Sequence, residues 1–327
     1  MPAKFACFLF FLVFSTPAFA DYGLCFSGSS NVAFGTLGVT SFTGATTAGA
    51  WSETCPLALG LGSGVALCPS IGAGNNSVSQ SNRTMTLGGN SISYQLYSDS
   101  AYSVAFQYVG SDVVHESYNS LIGSSWNAPI YAEILSSTAG LPPGAYTDTY
   151  TSSSQGAITV DGAPNYVVSH ECVGNSGSQW WNTLSFTVSV TLQASCTISA
   201  GAMSFGSLAS NISANVHTTA TITALCTSTT PYSVGLGLGN YASGSQRRMN
   251  LPSTSNYVNY ALYTDAAYSL VWGTTTAAGS CTSGSGTCFL GTGNGSNQTI
   301  TIYGQLPPQT VNATGTYGDT VVVTLTY

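Results

Sequence analysis

The feature that most constrains the fold is a passage that the chain writes twice. "YQLYSDSAYSVAF" begins at Tyr94 and "YALYTDAAYSLVW" at Tyr260, 166 positions later. Around this pair the rest of the chain falls into step. "CFSGSSNVAFGTLG" from Cys25 matches "CTISAGAMSFGSLA" from Cys196, and Cys55 matches Cys226. "RTM" at Arg83 matches "RRM" at Arg247, and "PIYAEI" at Pro129 matches "TIYGQL" at Thr301. "PPGAYTDT" from Pro142 matches "NATGTYGDT" from Asn312. The offset drifts as small loop insertions would make it drift, so the economical reading is two tandem copies of one domain. A chain of 327 residues has room for two cores.

Each copy reads as all-β. "SISYQLYS", "TATITAL" and "DTVVVTLTY" alternate or run apolar over strand lengths, with Gly, Asn, Pro or Ser between them. No long stretch sustains a 3.6-residue apolar period. The expectation is two tandem immunoglobulin-like β-sandwich domains.

The first twenty residues, "MPAKFACFLFFLVFSTPAFA", combine Lys4, an apolar run and the small-x-small site Ala18-Phe19-Ala20. They read as a secretory signal (residues 1–20), which makes the chain an exported one. Of nine cysteines, Cys7 leaves with that segment. An even set remains for an oxidising compartment, which favours disulfides over metal ligation. The repeated thirty-residue spacing pairs Cys25 with Cys55 and Cys196 with Cys226. Cys281 with Cys288 would close the "TSGSGT" loop and leave Cys68 with Cys172, although eight cysteines permit many other pairings.

Charge excludes one class of function. Only Arg83, Arg247 and Arg248 are basic beyond the signal, against eleven carboxylates. Such a chain lacks the electrostatic footprint of a nucleic-acid binder. Catalysis has little support either. His115 and His170 each precede a glutamate, but neither completes HExxH, and no serine lies in GxSxG. Neighbours on a strand point to opposite faces and would not share a proton. No cofactor or metal is expected, and the chain reads as a non-enzyme. Arg247, Arg248 and Asp265 read as structural, through an ion pair or hydrogen bonds to a loop. Asp148 and Asp319 read as turn or strand-entry residues.

The two copies differ at their ends. The second stops at "GDTVVVTLTY", whereas the first runs on for some forty residues to "LSFTVSVTLQ", Leu184 to Gln193. Leu184, Phe186, Val188, Val190 and Leu192 of that segment share one face. A sandwich lacking such a strand exposes unpaired backbone and a slot into its core. Five apolar side chains entering the slot would contribute roughly 7 to 15 kcal/mol gross. Whether Leu184–Gln193 completes its own domain or lies against the second one stays open. Ahead of Cys25, only "DYGL" follows the signal, too short to be lent to a neighbour. The chain is thus expected to accept a strand and not to donate one, as the end subunit of a polymer would.

These residues resemble the spore coat protein U-like domain of subunits of archaic (Csu-type) chaperone–usher pili. The resemblance is carried by "CTISAGAMSFGSL", "RRM", "NYALYTDAAYSLVWG", "TIYGQLPP" and "GTYGDTVVVTLTY" within residues 196–327. The first copy keeps Cys25, Phe34-Gly35, "YQLYSDSAY" and "AYTDT". A two-domain chain of this kind is similar to the tip adhesin of such pili. The resemblance implies an N-terminal adhesin domain (residues 21–193) and an incomplete C-terminal pilin domain (residues 194–327). It also implies a periplasmic chaperone, an outer-membrane usher and a next pilin subunit that donates a strand. The place of work would be the pilus tip, reached through the periplasm.

In that family surface binding is attributed to apolar distal loops. Candidates here are Leu59, Leu61 and Val65 in "CPLALGLGSGVALCPSIGAG", Leu121, Ile122 and Trp126 in "YNSLIGSSWNAPIY", and Trp180 and Trp181 in "GNSGSQWWNT". Exposed together they would suit a hydrophobic or abiotic surface and the start of a biofilm. "LALGLGSGVAL" reads equally as a strand pair in the core, and one tryptophan of the pair could pack inward. Aromatic faces also suit sugar rings or another host ligand, so a glycan-binding fimbrial lectin is the alternative. A fibre or coat subunit without any ligand is a further one.

Overall fold

The computed structural model describes residues 26–38, 44–55, 63–107, 115–118, 124–138, 140–164, 178–274, 281 and 286–327. Among them there is no helix, and the two-copy pattern is realised as two β-rich units, each with its own core.

The first unit runs through β1 (Phe26–Ser29), β2 (Val32–Leu37), β3 (Thr46–Cys55), β4 (Ser63–Ile71), β5 (Arg83–Leu87) and β6 (Asn90–Tyr97). It continues with β7 (His115–Tyr118), β8 (Ser124–Ile134), β9 (Gly144–Tyr150), β10 (Gly156–Pro164), β11 (Ser178–Thr183) and β12 (Phe186–Leu192). The larger sheet has the order β1-β3-β8-β6-β5-β9-β12-β2, and the smaller β11-β10-β4-β7. The end strands of the larger sheet are separated in sequence only by Ser30 and Asn31, so that sheet must curl until its edges meet.

The second unit comprises β13 (Cys196–Ala200), β14 (Asn211–Ile212), β15 (Val216–Cys226), β16 (Pro231–Leu236) and β17 (Arg247–Asn250). Then come β18 (Tyr257–Tyr263), β19 (Phe289–Thr292), β20 (Asn297–Leu306), β21 (Gln309–Thr310) and β22 (Val323–Thr326). Its sheets are β13-β15-β20-β18-β17, β19-β16-β22 and the short pair β14-β21. Disulfides join Cys196 to Cys226, across the register of β13 and β15, and Cys281 to Cys288. The expected pairs involving Cys25 and Cys172 fall outside the described residues.

The repeated passage at Tyr94 and Tyr260 is a strand followed by a tight, side-chain-capped turn. Asp99 accepts from the amides of Ser103 and Val104, and Asp265 from those of Ser269 and Leu270. The amide of Val104, foremost, holds the Asp99 carboxyl below its ordinary range. Tyr102 and Tyr268 sit in the left-handed region at φ 55° and 57°, uncommon for a bulky side chain. Each is braced edge-on by the preceding tyrosine of its motif, Tyr97 or Tyr263, with ring centroids 5.5 Å apart. The turn needs those residue types in that order, which is why both copies keep them.

Buried arginines repeat as well. Arg83 is fully buried; its Nε donates to Gly72 O (2.9 Å) and its Nη2 to Ile71 O (2.6 Å) and Phe106 O (2.9 Å), with Nη1 reaching Gln80 O and Gln95 Oε1. Arg247 donates to Gly237 O and Leu236 O in the same way, at 3.0 and 2.8 Å. Of the two sequence readings of Arg247, hydrogen bonding to a loop is the one realised. Carbonyl oxygens stand in for the water that each guanidinium loses.

Candidate functional site

Two regions carry the functional question: the place of β12 in the first unit and the corresponding place in the second. β12 was legible as an amphipathic strand, and the structure seats it inside its own unit. It runs antiparallel to β9, from Phe186 opposite Tyr150 to Leu192 opposite Gly144, and parallel to β2, from Val188 opposite Val32. Leu184, Phe186, Val188, Val190 and Leu192 are all nearly or wholly buried. Phe186 stacks on Tyr150 with ring centroids 4.4 Å apart.

In the second unit the two neighbours of that strand have counterparts but, among the described residues, no strand between them. Met203–Leu208 corresponds to β2 and Gly315–Val321 to β9, and neither stretch is itself a strand. One β-bridge survives: Gly318 pairs with Asn250, as Thr147 pairs with Thr86 in the first unit. A groove of about 470 Å³ lies between these lips. Met203 and Phe205 line one side, Tyr317, Asp319 and Val321 the other, and Leu236, Tyr260, Leu262 and Ile302 the floor. The floor belongs to the hydrophobic core of the unit. The groove is thus a core seen from outside along one strand's width.

An aspartate fixes the β9 lip in both units, a role that the sequence reading as a turn or strand-entry residue did not include. Asp148 is fully buried within β9; it accepts from Tyr94 Oη (2.7 Å), Ser77 Oγ (2.6 Å) and the Asn76 amide (2.8 Å). Asp319 accepts from Tyr260 Oη (2.6 Å) and the Asn240 amide (2.8 Å). A Cβ at Gly74 or Gly239 would collide with these carboxylates, so both loops need glycine there. Burial pushes the Tyr94 and Tyr260 hydroxyls up, helped by the neighbouring aspartate, so both phenols stay protonated donors. Burial also raises Tyr150, to about 12. The signal that could have revealed this was present: a Tyr and an Asp repeated at matching positions of two copies.

The smaller sheet of the first unit gathers several surface candidates. β4 and β10 pair over nine residues each, whereas their counterparts β16 and β22 span six and four. The β10 strand therefore outruns its counterpart by five residues, about 16 Å. β11, without a counterpart among the described residues, lies along β10, with Trp181 opposite Thr159 and Trp180 opposite Val160. Val65 lies in β4, opposite Gly162. These three are strand residues: for Val65 that is the strand alternative of the sequence reading, and for Trp180 and Trp181 a correction to the loop reading, because β4 and β11 pair along the length of β10. Trp126 is a second correction: it lies in β8, half-buried against the core, since the alternation of "SSWNAPI" continues the strand upstream of Pro129. Leu59, Leu61, Leu121 and Ile122 lie outside the described residues.

β11 is tied to the larger sheet by a buried carboxyl. Glu53 in β3 accepts from Asn182 Nδ2 at 2.6 Å and Ser27 Oγ at 2.5 Å. Burial raises its pKa, opposed by those two hydrogen bonds. Among the described residues no group of three His, Cys, Asp or Glu could hold a metal ion.

Two stretches, 16–153 and 182–324, match the model of the Spore Coat Protein U domain. The chain belongs to that family. A relative within it, Protein U of Myxococcus xanthus, is 32% identical over 147 residues, which cover 40% of this chain and 77% of that protein. The fold is similar to that in the crystal structure of the CsuC–CsuE chaperone–tip adhesion subunit pre-assembly complex from archaic chaperone–usher Csu pili of Acinetobacter baumannii. There the TM-score is 0.50 at 17% identity, over 93% of this chain and 100% of that one. The CupB6 tip adhesin from Pseudomonas aeruginosa matches at a TM-score of 0.39 and 9% identity, over 92% and 93% of the two chains. The boundaries of the family match are informative in themselves. The second Spore Coat Protein U match opens at residue 182, so it includes β12, although β12 packs in the first unit.

Proposed function

We propose that the chain is the tip subunit of a chaperone–usher pilus. Residues 1–20 act as the export signal, 21–193 as the adhesin domain and 194–327 as the pilin domain that joins the fibre. The observation that carries this reading is the coincidence of β12 with the groove. The segment just ahead of Cys196 completes the preceding unit, so the chain is built like two successive beads of a fibre within one polypeptide. The second bead presents to a neighbour the same site that β12 fills in the first. A strand from the next pilin subunit would enter there, and a periplasmic chaperone would cover the groove until an outer-membrane usher makes the exchange.

The extended smaller sheet, with Val65, Trp180 and Trp181 on its strands, would form the contact with a hydrophobic surface, together with Leu59, Leu61, Leu121 and Ile122. Attachment to abiotic surfaces and biofilm initiation follow from that chemistry.

The test uses assembled fibres. The double variant Trp180→Ser/Trp181→Ser should leave the number of pili unchanged and reduce cell attachment to polystyrene. Full attachment by normally assembled pili would reject this sheet as the contact. The groove is tested separately by titrating the purified mature chain with the peptide LSFTVSVTLQ. Saturable one-to-one binding is expected, and its absence would reject strand acceptance.

A further inference from the structure

Methionine is scarce in this chain and unevenly sheltered. Of its four methionines, Met1 begins the signal segment, which leaves Met85, Met203 and Met249. Met85 and Met249 stand at the same position of the two copies, in "RTM" and "RRM". Met85 is 0% exposed and belongs to the same buried cluster as Val188 and Val190 of β12. Met249 is only half-buried and lines the groove. The same methionine is sealed in the unit that holds β12 and reachable in the unit whose groove is open.

Met203 lies closer still to the place of that strand. With the copies aligned from Cys25 and Cys196, it takes the position of Val32, which is 0% exposed and pairs with Val188 of β12. A strand seated as β12 is seated would therefore run directly past Met203. The Met203 sulfur rests on Gly304 of β20, where a Cβ would collide with it. The residue is half-buried on the groove wall. Two polarizable, readily deformed thioethers thus line a slot that must fit an apolar strand.

A thioether is also a group that a mild oxidant changes. The sulfur lone pair attacks one oxygen of hydrogen peroxide, and the S–O bond forms as the O–O bond breaks. The proton on the transferred oxygen passes to the departing hydroxide, which leaves as water. Sulfur loses two electrons and the peroxide gains them. The sulfoxide that results is polar. Covered by the Leu, Phe and Val side chains of an entering strand, its oxygen would lose water without gaining a donor, which costs affinity. We propose that Met203 and Met249 form an oxidation site that gates the groove: a peroxide converts both to sulfoxides while the groove is open, and the sulfoxides exclude the strand. A seated strand would shield both sulfurs as the first unit shields Met85. The gating rests on the strand-accepting reading of the groove, whereas the selective oxidation rests on exposure alone.

The purified mature chain is treated with hydrogen peroxide, and each methionine is followed by mass spectrometry of its peptides. Met203 and Met249 should oxidise about tenfold or more faster than Met85. Saturating LSFTVSVTLQ should slow both towards the rate of Met85. The oxidised chain should bind that peptide about tenfold or more weakly, and methionine sulfoxide reductases should restore binding. In Met203→Leu/Met249→Leu, whatever its own affinity, peroxide should no longer change binding. Equal oxidation of Met85, Met203 and Met249, or full oxidation of the groove pair beneath a bound peptide, would overturn the proposal and leave the groove reading intact. Unchanged affinity after oxidation, or a loss that persists in the double leucine variant, would overturn it too. If the untreated chain does not bind the peptide, the groove reading falls and the gating with it.

Discussion

Tyr146 and Tyr317 stand at the same position of the two units, and each donates through its hydroxyl to the carbonyl four residues earlier, at 2.9 Å. The first is fully buried and the second only half-buried. Asp148 and Asp319 differ in the same way, although both receive a tyrosine hydroxyl and a loop amide. The local chemistry of the β9 lip is therefore written into each copy independently of its neighbour. What differs is the strand laid against it. Where β12 is present, the lip is a seven-residue strand; where no strand lies beside it, the same sequence pattern keeps its side-chain anchors and loses its ladder. The second unit thus keeps the anchors of the first with no strand at that place, and under the strand exchange proposed above this would keep the entropy cost of the step low.

The contrast breaks most decisively at β12. Val188→Asp would place a carboxylate where Val188 is 0% exposed, and the first unit should lose about 4 kcal/mol or more, enough to unfold it. Region-resolved hydrogen exchange should show its strands opening while those of the second unit stay protected. If the first unit keeps its protection, β12 does not hold it together.

A step smaller, the disulfide of the second unit can be removed as the pair Cys196→Ser/Cys226→Ser. A loop of this length corresponds to about 2 to 4 kcal/mol, expected as a lower midpoint of the second unit alone in chemical denaturation. An unchanged midpoint would mean that the β13–β15 ladder suffices.

The two aspartates sharpen the comparison directly. Asp148→Ala leaves a buried tyrosine hydroxyl, a serine hydroxyl and an amide without their acceptor, at about 2 to 3 kcal/mol. Asp319→Ala, with water nearer, should cost about half of that. Equal costs would show that burial by β12 is not what separates the two lips.

The smallest effect belongs to Glu53 and appears only as a pH dependence. Burial raises its folded pKa above the ordinary glutamate value, so the folded state binds this proton more tightly than the unfolded chain does. The stability it contributes is complete below the ordinary glutamate pKa and is lost as pH rises through the raised one. Glu53→Gln should remove that slope from the first unit and leave the second unit's profile unchanged. A slope that persists in the variant would assign it to another group.

Much of this was legible in the sequence for a definite reason. Strand side chains alternate with period two, so "LSFTVSVTLQ" announced a half-buried strand, and duplicated Cys, Arg, Tyr and Asp positions announced two copies of one fold. The Trp180-Trp181 segment was misread because "SQWWNT" carries no apolar alternation to mark it as a strand. Its pairing is set by β10, far away in sequence, and Gly and Ser in "GNSGSQWWNT" resemble a turn until that partner is present. Asp148 read as a turn or strand-entry residue because a carboxylate inside a strand is costly unless hydroxyls and amides converge on it, and Tyr94, Ser77 and Asn76 converge only through tertiary contact.

By itself, then, the sequence determined that there are two β-units and that the first contains an amphipathic strand at Leu184–Gln193. Only the tertiary structure decided where that strand goes and what it leaves behind in the second unit. Alternation fixes which face of a strand is buried but not against which neighbours; that choice is made by backbone groups on β2 and β9 that need partners and by a core that needs a lid.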